Sequence, residues 1–273
     1  MNLIREMLSY PFLVRALAGG MMVSLCASLL GVSLVLRRYS MIGDGLSHVS
    51  FGALSIALAM GWSPLKISIP VVVLAAFFLL RITENSRIKS DAAIALISAS
   101  ALALGIIVTS LTTGMTTDVS SYMFGSILAM SREDVWLSVV LSLVVLGLFV
   151  ICYNRIFAVT FDENFAKATG VNVGRYNIII AVLTAVTIVL GMRMMGAMLI
   201  SSLVIFPCLS SMRVFKSFGG VMVSSGILSL ACFFAGMVAS YQFSIPAGAS
   251  AVVVNLCAFL LFMAWQSLGR LRG

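Results

Sequence analysis

Nine apolar segments follow one another along this chain, joined by short polar connections. They run about 12–36, 42–60, 66–80, 92–112, 134–152, 176–191, 196–212, 218–240 and 246–268. A helix needs about 20 apolar residues to cross a bilayer, and inside hydrocarbon every backbone N–H and C=O must be satisfied within the protein. The expected fold class is therefore all-α, a polytopic helical membrane protein with about nine transmembrane helices in a single domain, residues 1–273. The third, sixth and seventh segments are short, which predicts tilted, broken or partly re-entrant helices. Residues 116–131 are only moderately apolar and read as an extramembrane or re-entrant helix. Composition excludes the competing classes. Charged residues make up 10% and hydrophobic residues 61%, whereas a soluble domain carries about 25% charged residues. A soluble enzyme, a disordered chain and a disulfide scaffold are all ruled out.

Lys and Arg total 17 against 9 Asp and Glu, a net charge of +8. The surplus does not point to nucleic acid, because it sits in short clusters between apolar runs, as in loops facing anionic lipid. One set of alternate loops holds Arg37, Arg38, Arg81, Arg87, Lys89, Arg155, Lys167, Arg175, Arg213, Lys216, Arg270 and Arg272; the other holds Arg5, Lys66, Arg132 and Arg193. The positive-inside rule places the first set in the cytoplasm, the N-terminus outside and the C-terminus inside. The five cysteines, Cys26, Cys152, Cys208, Cys232 and Cys257, are scattered singly and read as reduced packing residues. No short apolar core with a small-residue cleavage site follows Arg5, so targeting is expected from the first span.

Small residues recur within the spans. Ala95, Ala99 and Ala103 share one helical face, and Gly52, Gly105, Gly196 and Gly236 interrupt others. In lipid, close helix packing depends on such residues, and that is their expected role.

The only histidine, His48, follows Asp44 by four residues at the start of the second segment. On a helix the two share a face. An ionised carboxylate within a bilayer costs about 2.5–3.5 kcal/mol on insertion scales, so it calls for a partner or a watery cavity. Carboxylate oxygen and imidazole nitrogen together form half of a site for a divalent transition metal. Two structural readings stand beside this one. Asp44 could cap its helix, or the two side chains could simply bond each other. The neighbours Gly45, Ser47, Ser50 and Gly52 are small or polar, which suits a face lining a cavity. Two ligands cannot hold a metal alone. A second copy about an axis along the membrane normal, other groups of the same chain, or water would complete the shell.

The longest inside loop contains Thr160-Phe161-Asp162-Glu163, which matches a capping box with Thr160 as N-cap and Glu163 reaching back. Gly170 fits a left-handed C-terminal cap. This predicts a helix over about 161–169 that presents Phe161, Phe165, Ala166 and Thr169. Such a helix can lie in the lipid interface or dock a soluble partner. No G-x-x-x-x-G-K-[ST] phosphate loop occurs in the sequence, so any ATP hydrolysis would fall to another polypeptide.

These segments resemble the integral-membrane permease of bacterial zinc/manganese ABC importers. The similarity covers RRYSMIGDGLSHVSFGALSIAL (37–58), SYMFGSILAMSREDV (121–135), FDENFAKATGV (161–171), GAMLISSLVIFPCLSSMRV (196–214) and IPAGASAVVVNLCAFLLF (245–262), in the family's order. The resemblance implies a type II ABC importer-like permease in the bacterial cytoplasmic (inner) membrane. It implies two permease subunits, here a homodimer, each on a cytoplasmic ATPase subunit, with an extracytoplasmic metal-binding protein delivering the ion. It implies that Asp44 and His48 are metal ligands, and that Phe161, Asp162, Glu163, Phe165, Ala166, Thr169 and Gly170 belong to the ATPase-coupling helix. The sequence departs from the family's pattern at Ser126 and Ser244, where many members carry acids, and at Ala99, where some zinc-type members have histidine. Those departures remove the support for further ligands or entry-path acids there.

The expected function is therefore that of a permease subunit, not an enzyme, in an ATP-driven importer of divalent transition metal. Zinc is favoured over manganese, the metal passes as substrate, and no cofactor is permanently bound. A permease for a metal chelate or vitamin is the alternative within the class. A transporter driven by an ion gradient, with Asp44 and His48 relaying protons, is the alternative outside it.

Overall fold

An apolar segment in hydrocarbon bonds its backbone to itself, and helices account for every regular element among the described residues. The computed structural model describes residues 6–7, 9–85, 90–113 and 132–271. The expected helix within 116–131, Ser126, and the basic residues Arg5, Arg87, Lys89 and Arg272 lie outside them.

Eleven helices follow in order: α1 (Pro11–Leu36), α2 (Ile42–Ala59), α3 (Pro64–Asn85), α4 (Ser90–Thr113), α5 (Arg132–Ile151), α6 (Tyr153–Phe161), α7 (Glu163–Ala168), α8 (Val173–Met195), α9 (Ala197–Val214), α10 (Phe218–Phe243) and α11 (Ala247–Leu271). Nine of these stand on the nine apolar segments. Seven, α1, α2, α4 and α8 to α11, are long and apolar enough to cross a bilayer by themselves, and α5 with α6 forms a pair bent by 69° that makes an eighth. The apolar part of α3, Pro64–Leu79, is shorter. The helix nevertheless runs 22 residues and carries Pro70 in its interior.

The sixth segment is not short. Its helix, α8, extends to 23 residues because it takes in Arg175 near its start and Arg193 near its end, and these charged positions hid that length from a hydropathy reading. It ends at Gly196, whose φ of 86° and ψ of 162° separate α8 from α9. Only glycine adopts that region without strain.

Helix α1 is the centre of the bundle, packing on α5, α6, α8, α9 and α10. Its contact with α10 is stitched by small hydroxyls: Ser24 and Ser229 are 2.6 Å apart, and Ser229 donates to the Ser24 carbonyl at 3.0 Å. Interhelical bonds of this kind contribute about 0.6 kcal/mol on average in membranes. Helix α2 lies against α3 and α4. A Cβ at Gly52 would come within 2.7 Å of the Ala101 carbonyl oxygen on α4, so α2 and α4 approach backbone to backbone. The alanine stripe takes no part in this contact. Ala95, Ala99 and Ala103 are exposed on the outer face of α4, while Ala93, Ile94 and Gly105 turn inward.

All five cysteines are free; Cys26, Cys208 and Cys232 are buried, as packing residues should be. Large apolar side chains cover the outer faces of α4, α5 and α11, among them Leu111, Trp136, Ile151 and Leu261. This is the surface a multi-pass membrane protein turns to lipid.

Candidate functional site

Helix α2 begins immediately after a tight connection from α1, and Asp44 falls in its first turn. Met41 is the N-cap, and no side chain caps the helix, so Asp44 is not a capping residue. A carboxylate in a first turn is still favoured by the helix dipole. One turn on, His48 Nε2 stands 3.6 Å from Asp44 Oδ2. The side chains are 45% exposed for Asp44 and 22% for His48, so the donors open to the surface of the single chain.

That separation matters chemically. Two ligands about 2.0–2.2 Å from one ion, at a tetrahedral angle, lie about 3.3–3.6 Å apart. The pair is therefore spaced to share an ion with little movement. Among the described residues no group of three or more His, Cys, Asp and Glu side chains forms, so within them the site has two such donors.

The surrounding small residues serve packing, contrary to the expectation that they line a cavity. Gly45, Ser47, Ser50 and Gly52 are all buried. A Cβ at Gly45 would lie 2.4 Å from Ile94 Cγ2 on α4. Gly43 faces Ser201 of α9, with 3.6 Å from its would-be Cβ to the Ser201 Cα. Ser47 donates to the Asp44 carbonyl at 2.7 Å, and Ser68 of α3 donates to the Ser50 carbonyl at 3.2 Å. Three neighbouring helices thus hold the start of α2 in place, and only the Asp44/His48 face is left open.

The second candidate region is built differently from the capping-box expectation. Its helix, α7, is six residues long and starts at Glu163. Asp162, not Thr160, is the N-cap: its Oδ1 accepts from the backbone N–H of Asn164 at 2.9 Å and of Phe165 at 3.0 Å. Thr160 and Phe161 belong to the preceding helix, α6. The Phe161 ring packs edge-on to Phe218 at 5.7 Å and beside Phe157 at 5.0 Å, joining α6 to the start of α10. Phe165 is 62% exposed, but Ala166 is fully buried with Val159, Val171 and Val173 and is not presented. Thr169 turns its hydroxyl back to the Phe165 and Ala166 carbonyls. Gly170 ends the helix at φ 80°, as expected; its N–H bonds to Lys167 O and that of Val171 to Ala166 O.

Glu163 does not reach back to the cap. Its carboxylate pairs with Arg37 at the C-terminal end of α1. Arg37 also donates from Nη1 to Asn177 Oδ1 on α8 at 2.8 Å. Sequence reasoning missed this cluster. The available signal was Asn177, a strongly polar residue in an otherwise apolar span, which implied a polar partner.

Residues 9–266 match the ABC 3 transport family. The chain belongs to that family. The manganese import system permease protein ScaB of Streptococcus gordonii is 30% identical over 258 residues, which cover 94% of this chain and 92% of that protein. The high-affinity zinc uptake system membrane protein ZnuB of Haemophilus influenzae is 26% identical over 252 residues, with 92% and 97% covered. Among solved structures, PsaBC from Streptococcus pneumoniae in complex with Fab superposes with a TM-score of 0.85 at 30% identity, covering 96% of this chain and 94% of that chain. The expected resemblance is thereby established, and so is the role of a transport permease rather than an enzyme. The relatives' names divide between manganese and zinc.

Proposed function

We propose that this chain is the transmembrane permease subunit of an ATP-driven importer of divalent transition metal ions, with Asp44 and His48 as transient ligands of the passing ion. The observation that carries the reading is the 3.6 Å separation of His48 Nε2 and Asp44 Oδ2 on an open face of α2. The names of similar proteins support a manganese or zinc substrate. Imidazole favours zinc within that choice, whereas carboxylate suits both metals. Two ligands bind weakly, which fits a transport site, because an ion held too tightly is not released.

A second copy of the chain brings a second pair of donors, and the exposure of both side chains leaves room for it. The segment Phe161–Gly170, with Phe165 exposed on α7, docks a separate ATPase subunit. An extracytoplasmic metal-binding protein delivers the ion. The chain sits in the bacterial cytoplasmic membrane with its N-terminus outside and its C-terminus inside, following the charge asymmetry of the loops.

The test is metal uptake by cells or proteoliposomes containing Asp44→Ala or His48→Ala permease. Both variants are expected to lose uptake while remaining in the membrane. Unaltered uptake of zinc and manganese by both would overturn the site assignment.

A further inference from the structure

We infer that Arg37 is a positioning residue that ties α7 to the helix carrying Asp44 and His48, with Arg38 as the joint between them. The inference rests on the proposed roles of α7 and of the Asp44/His48 pair.

Arg37 is the C-cap of α1, where the turn into α2 begins, and its side chain is only 10% exposed. A guanidinium so enclosed is strongly unfavourable unless it is paired. Here each Nη is engaged by a different element: Nη2 by Glu163, the first residue of α7, and Nη1 by Asn177 of α8. The planar fork of arginine makes this bridging possible; a lysine ammonium would not span both acceptors with the same geometry. A displacement of α7 is therefore passed directly to the end of α1.

From Arg37 the chain reaches Asp44 with its backbone held by hydrogen bonds on both sides of Arg38. Arg38 N–H bonds to Val35 O at 3.1 Å and Tyr39 N–H to Leu34 O at 2.8 Å, the double closure of a Schellman turn. Ile42 N–H then bonds to Tyr39 O at 3.1 Å, and Gly45 N–H to Met41 O at 3.0 Å. Arg38 takes the left-handed position with φ 63°, where glycine is the usual occupant. A non-glycine residue in that region is uncommon, and such strain gathers where structure is over-determined or has to switch. A strained residue thus stands between a half-buried ion pair and the first turn of α2. Rotation there re-aims Asp44 and His48 while α1 stays fixed in the core.

The experiment uses the permease with its ATPase subunit in proteoliposomes, reading ATP hydrolysis and zinc and manganese uptake in the same vesicles. Arg37→Gln is expected to keep the ATPase subunit through purification and to hydrolyse ATP within about twofold of the unaltered complex. Metal taken up per ATP should fall about tenfold, within the usual range of coupling between distant sites. The reciprocal double variant Arg37→Glu/Glu163→Arg should recover most of that ratio, because the Asn177 amide can turn to donate to the carboxylate introduced at position 37. Arg38→Gly loosens the joint without touching the ion pair and should lower the ratio as well. It also keeps the test open if Arg37→Gln does not fold. Unchanged uptake per ATP in the single variants, loss of the ATPase subunit from them, or no recovery in the double variant would each overturn the inference. If those results came with uptake abolished by Asp44→Ala, the coupling role alone would fall and the metal site would stand.

Discussion

Gly31 of α1 meets the backbone of Val204 on α9: a Cβ at position 31 would lie 2.1 Å from the Val204 carbonyl oxygen. Val204 also faces Gly43, whose would-be Cβ lies 3.8 Å from Val204 Cγ2. The α1–α9 contact therefore sets the wall against which the start of α2, and with it Asp44, is seated. Gly31→Ala has to push two backbones apart, and overpacking of this kind costs about 1–3 kcal/mol. A lower thermal midpoint in detergent is the expected result. Gly147→Ala on α5 serves as the contrast, because a Cβ there meets nothing within 4 Å. It should be neutral or stabilising by up to about 1 kcal/mol, through helix propensity.

Arg38 offers a separate measure of backbone strain. A left-handed conformation costs an ordinary residue about 1–2 kcal/mol, and a β-branched side chain tolerates it least. Arg38→Gly should leave the thermal midpoint unchanged or slightly raised, since relief of strain offsets the greater freedom of glycine in the unfolded chain. Arg38→Val should lower it by about 1–2 kcal/mol equivalent. Equal midpoints for the two variants would show that φ at this position relaxes readily.

On the proposed site, metal choice would follow from donor chemistry at position 48. Imidazole suits zinc, while oxygen donors suit manganese. His48→Asp keeps two donors near the same place but makes both of them oxygen. Competition uptake with mixed zinc and manganese should therefore shift toward manganese, on the order of tenfold. A ratio identical to that of the unaltered chain would mean that His48 does not contact the passing ion.

The order and number of the long helices were legible because hydrophobic length is read one residue at a time. The Asp44/His48 pairing was legible for the same reason, since i and i+4 on a helix fix a shared face without tertiary information. What escaped was whatever depends on a neighbour far along the chain. Gly45, Ser47, Ser50 and Gly52 suggested a cavity wall, yet each is buried against α3 or α4 or inside its own turn. Ala95, Ala99 and Ala103 suggested a packed seam, yet α4 turns that stripe outward. Small residues permit close approach, but the sequence does not say which partner approaches.

The capping of α7 shows the same limit at short range and leads to a sharp test. Thr160 and Glu163 have capping-box spacing, but Glu163 is drawn to Arg37, and Thr160 remains in α6. Asp162 takes over the cap with two backbone hydrogen bonds. Removing an N-cap carboxylate costs about 0.5–2 kcal/mol of helix stability, which is large for a helix of six residues. Asp162→Ala should therefore accelerate amide hydrogen exchange at Asn164 and Phe165 and weaken retention of the ATPase subunit on the permease. Thr160→Ala should leave both measurements unchanged. The reverse pattern would restore the capping box and move the start of α7 back to Phe161.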